Sequence, residues 1–120
     1  MAKVLLVGIE PTAAQQLRYS LTECLHHVES KPADLPADDL GSADIVFVGG
    51  KPADYLPLLR RVRRMLPRLP FIVLTRLPET SEWIDALEAG ATDYFSFPLS
   101  QSQLQWLMES VRPSRAAAAV

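Results

Sequence analysis

The sequence predicts a parallel, doubly wound α/β sheet, and three observations carry that prediction. First, residues 4–7, 45–48, 71–74 and 94–97 are short apolar runs bounded by breakers, rich in Val, Ile, Leu and aromatics and without polar alternation. Strands buried on both faces read this way. Second, the stretches between them repeat their apolar residues at helical spacing, and strands alternating with helices imply βαβ units with right-handed crossovers. Third, 120 residues that are 48% apolar and 22% charged suit one globular domain, long enough to bury a core without disulfides or metals.

Taken in order, the first strand (4–7) is followed by a helix that Pro11 can open, with Ala14, Leu17, Leu21 and Leu25 along one stripe. A weaker strand at 27–30 comes next. Residues 31–42 contain two prolines and Gly41, so the second helix of the series is expected to be one turn or missing. After the strand at 45–48, Pro52 opens a helix carrying Tyr55, Leu58, Leu59, Val62 and Leu66, closed by Pro67 and Pro70, with Pro57 in or near its first turn. The strand at 71–74 leads to a helix at 79–89 that stops at Gly90, with Ile84, Leu87 and Ala91 as its inward stripe and Trp83 toward the edge. Ser100 caps the last helix, whose inward positions are Leu104, Leu107, Met108 and Val111. The domain is expected to cover 1–112, with 113–120 a linker or disordered tail.

Composition excludes several classes. One cysteine, Cys24, supports neither a disulfide framework nor a Cys-rich zinc site, and points to a reducing cytoplasm. The opening MAKVLLVG is too short an apolar run for a signal peptide or a membrane span. The formal net charge of −2 conceals a division: residues 51–76 hold seven bases against one acid, and residues 77–111 hold six acids and no base. Arg60, Arg64 and Arg68, with Arg61 and Arg63 beside them, form a basic face that is read as solvated and partly paired with the acidic helix. Self-association through the opposed segments is the alternative. The pI of about 5.6 and the lack of a recognition motif argue against nucleic acid.

Residues 89–98, AGATDYFSFP, resemble the AGAxDYxxKP signature that closes the response-regulator receiver domain of two-component signalling. VLLVGIEP resembles that family's ILVVDDEP, ADIVFVGG its PDLVLLD, and FIVLTRL its IIxLTA, in the same order along residues 3–112. The resemblance implies a flavodoxin-like (CheY-like) five-stranded fold. It also implies phosphoryl transfer to an aspartate, with Mg²⁺ held by an acidic pair, and with a hydroxyl and a lysine contacting the phosphoryl group.

Carried over position by position, the acidic pair falls on Gly8 and Ile9, the phosphoacceptor on Gly49, the hydroxyl on Thr75 and the lysine on Phe97. Only Thr75 retains the required group. Mg²⁺ needs oxygen ligands, which glycine and isoleucine side chains do not supply, and glycine offers no nucleophile. No aspartate lies within 45–53. Asp44 is five residues upstream of Gly49, about 16 Å along the strand. Glu10 is the nearest remaining acid. Ile9 and Phe97 are expected to collapse over the vacated pocket, giving a degenerate, plugged site like that of pseudo-receivers.

Among single residues, His26 and His27 are adjacent and point to opposite sides of a strand, so a structural role is expected. Cys24 is expected in the core. Tyr94 matches the family's switch aromatic, and Trp83, Tyr94 and Trp106 with Glu79 and Glu82 are expected on one interaction face. The last helix carries no base, so a dimer through that face would be apolar or would borrow the arginines of a second chain. The expected function is a phosphorylation-independent pseudo-receiver in the cytoplasm. It is not an enzyme, needs no cofactor or metal, and touches neither nucleic acid nor membrane. It would act by protein–protein contact or homodimerisation on an output domain or partner. The alternative is a small-ligand or anion sensor in the cleft around Gly8, Gly49, Thr75 and Arg76.

Overall fold

The computed structural model describes residues 2–23, 26–32 and 35–119. Five strands, β1 (Lys3–Val7), β2 (His27–Lys31), β3 (Ile45–Val48), β4 (Phe71–Thr75) and β5 (Asp93–Ser96), pair in parallel in the order β2-β1-β3-β4-β5. The helices are α1 (Pro11–Glu23), α2 (Pro52–Met65), α3 (Thr80–Glu88) and α4 (Gln101–Ala119). A one-turn 3₁₀ helix at Ala37–Leu40 stands where the sequence leaves room for one turn or none. Cys24 and Leu25 lie outside the described residues, as does the side chain of Val111. No helix among the described residues is long and apolar enough to cross a membrane.

The missing polar alternation has a direct cause. Leu5, Val7, Val46, Val48, Phe71, Val73 and Tyr94 turn to one face, where they pack with Tyr55, Leu58, Leu59 and Val62 of α2 and Ala86 of α3. Val4, Leu6, Ile45, Phe47, Ile72 and Leu74 turn to the other, against Leu17 and Leu21 of α1 and Leu104, Leu107 and Met108 of α4. Every strand residue of β3 is therefore buried, and the sheet is a wall between two cores.

Local chemistry fixes the helix ends. Pro52 sits at the first position of α2, and the Lys51 amide donates to the Asp54 carboxylate at 3.1 Å. Pro57 lies inside α2 rather than in its first turn, on the exposed side. At α4, the Gln103 amide donates to Ser100 Oγ at 3.1 Å and the Ser100 amide to Gln103 Oε1 at 3.0 Å, a reciprocal cap. The backbone of α4 is helical to Ala119, and its alanines are the strongest helix formers. Gly90, at φ +108°, ends the α3 segment as expected.

Two readings of the helix faces need correction. Ile84 and Leu87 do not face inward: they are 45% and 37% exposed, whereas Ala86 is fully buried and Glu82 and Ala89 are half-buried beside it. The side of α3 toward the sheet is its small side, so the bulky residues are left outside. Arg63 is not a solvated surface charge either. Its guanidinium donates to the carbonyls of Gly90 (2.7 Å), Leu69 (2.7 Å) and Leu66 (3.2 Å), filling the orphan acceptors at the end of α2 and tying them to the approach to β5. Burial lowers its pKa from the usual guanidinium value.

Candidate functional site

The register of the parallel strands brings the candidate residues together. β1 pairs with β3 so that Val7 lies opposite Val48, and the Gly49 amide donates to the Val7 carbonyl at 3.1 Å. Gly8 and Gly49 thus leave the sheet side by side. On the other flank Thr75 lies opposite Ser96, and the Phe97 amide donates to the Thr75 carbonyl at 2.7 Å. The result is an open cleft of about 480 Å³ at the carboxyl edge of the sheet, lined by Gly8, Ile9, Gly49, Thr75, Arg76 and Phe97 among others. Parallel sheets bind ligands at this edge.

A glycine at 49 is matched to its surroundings. A Cβ added there would lie 3.2 Å from the Gly8 carbonyl oxygen and 3.3 Å from both Cα and Cγ1 of Ile9. Ile9 and Phe97 are half-buried and pack on the core of the α1 and α4 side. They are not the whole cover. The Arg76 guanidinium pairs with the Glu10 carboxylate and lies over the Phe97 ring, 6.0 Å from its centroid. Both partners of the pair are about half exposed, so it contributes about 0–1 kcal/mol to stability. The Thr75 hydroxyl accepts from the Leu77 amide at 3.3 Å.

The cleft therefore presents one carboxylate, Glu10, already paired with a guanidinium, and three glycines, Gly8, Gly49 and Gly50. Such a donor set does not fit Mg²⁺, which takes oxygen ligands in a near-octahedral array. No group of three His, Cys, Asp or Glu side chains suited to a metal occurs among the described residues. Asp44 lies at the far end of β3, where its carboxylate accepts the Lys3 amide at 2.8 Å. His26 is buried and its Nδ1 accepts the Ala2 amide at 3.1 Å, while His27 is exposed. The Arg76–Glu10 pair is absent from the sequence reading; its signal was an acid just past β1 and a base just past β4, on strands that flank β3.

The expected interaction face is only partly assembled. Glu79, Trp83 and Tyr94 line a shallow cleft with Pro78, Thr80 and Ser96. Tyr94 is 9% exposed, its ring drawn into the core cluster that holds Tyr55, so it is not a surface residue here. Glu82 is half-buried and does not line that cleft. Burial, together with the charges of Tyr94, Glu82 and Asp85, pushes the Tyr55 hydroxyl up to about 12. Trp106 is exposed at 59%, on α4 across the sheet from α3, and does not line that cleft. The expected pairing of the α2 arginines with the α3 acids is not found: among the described residues Arg60, Arg61, Arg64 and Arg68 make no ion pair.

No family model matches the chain. It is 31% identical over 107 residues to the response regulator MprA of Mycolicibacterium vanbaalenii, covering 85% of this chain and 46% of that protein. It is 29% identical over 93 residues to the transcriptional regulatory protein ZraR of Salmonella typhimurium, covering 78% of this chain and 19% of that protein. The chain thus spans less than half the length of either. A crystal structure of a response regulator receiver domain protein from Clostridium thermocellum superposes with a TM-score of 0.85 at 21% identity, covering 98% of this chain and 99% of that one. The chain thus has the CheY-like five-stranded receiver fold, and the sequence relatives it resembles are response regulators.

Proposed function

We propose that this receiver domain signals without phosphorylation, as a protein-interaction module of a two-component regulator that acts on a fused output domain or a separate partner. One observation supports the reading above the others: at the carboxyl edge of the sheet, Gly8 and Ile9 supply no carboxylate, and Gly49 is closed against Gly8 and Ile9. An acyl phosphate needs a carboxylate nucleophile, and none reaches that position. Exposed Trp83 and Trp106 supply anchor side chains of the kind enriched at protein interfaces. The curated relatives named as regulators suggest transcriptional output.

Incubation with a small-molecule phosphodonor and Mg²⁺ tests the reading by intact mass and by tryptophan fluorescence. The expected result is an unchanged mass and no Mg²⁺-dependent spectral change; a covalent phosphoryl adduct overturns it. A second reading, an anion or small-metabolite sensor, is favoured by the open volume beside Arg76 and Lys51. A ligand at 100 times its dissociation constant would add ~2.7 kcal/mol of stability, so a thermal-shift screen with phosphate, nucleotides and carboxylic acids separates the two readings.

A further inference from the structure

α2 and α3 lie side by side on one face of the sheet, sharing the core of Tyr55, Leu58, Leu59, Val62 and Ala86. With 100° per residue, Arg60 and Arg64 stand opposite the buried stripe of α2, pointing away from the sheet. Asp85 and Glu88, three residues apart, form the exposed flank of α3 toward α2, and the charge of Asp85 acts on Tyr55 of α2. Ile84 is exposed on the same outer side.

Within the described chain the two charged ridges do not bridge each other. Each is left with like charges one turn apart and no counter-charge, which costs a helix stability. A positive ridge beside a negative ridge is self-complementary under a two-fold rotation: an axis between them lays each ridge on its opposite in a second copy. We propose that two copies of this chain associate about such an axis, with Arg60 and Arg64 of each copy facing Asp85 and Glu88 of the other and Ile84 flanking the acids on the outer side of α3.

The proposal rests on the interaction-module reading only in requiring self-association, and it uses a face distinct from Trp83 and Trp106. The test is sedimentation equilibrium of the full chain at ionic strengths of ~0.05 M and ~0.5 M, a range over which exposed charges pass from weakly to strongly screened. The wild type should dimerise at low salt and dissociate at high salt. R60E/R64E alone and D85R/E88R alone should each weaken the dimer at least ~10-fold, ~1.4 kcal/mol. An equimolar mixture should recover it, because both contacts of the mixed dimer are then complementary. Circular dichroism verifies that each variant is folded, and R60E/R64E/D85R/E88R should again dimerise with itself.

A wild type that stays monomeric, a variant that dimerises as tightly as wild type, or a mixture of folded variants that fails to associate each overturns the proposal. A dimer that survives both reversals but is lost in Trp106→Ala also overturns it, and leaves the interaction-module reading standing. A phosphoryl adduct would overturn that reading without touching this contact.

Discussion

Replacing Gly49 with alanine tests how closely the chain packs against that position at the floor of the cleft. The new Cβ would sit at 3.2, 3.3 and 3.3 Å from the Gly8 carbonyl oxygen, Ile9 Cα and Ile9 Cγ1. Ordinary carbon contacts lie at roughly 3.5–4.0 Å. Two of the three neighbours are backbone atoms of Gly8 and Ile9, just past the end of β1, so relief requires that exit to shift by a few tenths of an ångström. Overpacking of this kind costs ~1–3 kcal/mol.

The backbone at Gly49 does not need a left-handed conformation. Alanine therefore recovers ~0.4–1 kcal/mol through the unfolded state. The net expectation is a loss of about 1–2 kcal/mol, seen as a lower urea midpoint with unchanged slope and a fall in Tm of roughly 4–10 °C. In the double variant Ile9→Ala with Gly49→Ala one of the three contacts is gone, so its loss should fall short of the sum of the single losses by ~0.5 kcal/mol or more. A Gly49→Ala protein as stable as wild type would refute the reasoning: the space would be open, and an aspartate could stand there.

Arg63→Met should destabilise the fold by about 2–3 kcal/mol in urea, since three part-buried carbonyls lose a charged donor at once. Arg63→Lys should recover less than half, one ammonium being unable to span the carbonyls of Leu66, Leu69 and Gly90; full recovery by lysine would show that charge, not the fork, is what matters. Tyr55 sets an alkaline limit. Its folded pKa is raised to about 12, so its contribution is complete below the unfolded value near 10 and is lost as pH climbs from there toward 12. The stability difference between wild type and Tyr55→Phe should therefore shrink across that window in urea titrations, and a difference independent of pH would contradict the burial of the hydroxyl.

The strands were legible because a sheet covered on both sides leaves unbroken apolar runs, and 45–48 was placed to the residue. β5 was set one residue late, because Phe97 is apolar yet already past the last ladder pair at Ser96. The face of α3 was misread for a physical reason: hydrophobic size was taken as a guide to burial, whereas close approach to the sheet selects Ala86 and excludes Ile84 and Leu87. Arg63 looked like one more member of an arginine ridge; nothing in its spacing shows that the end of α2 folds its carbonyls toward it. The cleft residues could be located from their place after each strand. The Arg76–Glu10 bridge, by contrast, depends on strand order, which places β4 two strands from β1.

The two edges of the sheet are secured differently. At the amino edge Asp44 and His26 accept the Lys3 and Ala2 amides and Arg63 gathers the carbonyls ahead of β4 and β5, so side chains fasten strand starts to neighbouring backbone. At the carboxyl edge the cross-cleft fastening is a half-exposed ion pair. The cleft edge thus relies on close backbone packing and a solvent-screened pair, whereas the far edge is held by side chains bonded directly to backbone. In such a chain the order of the strands is fixed at one edge while the other edge carries the variable groups.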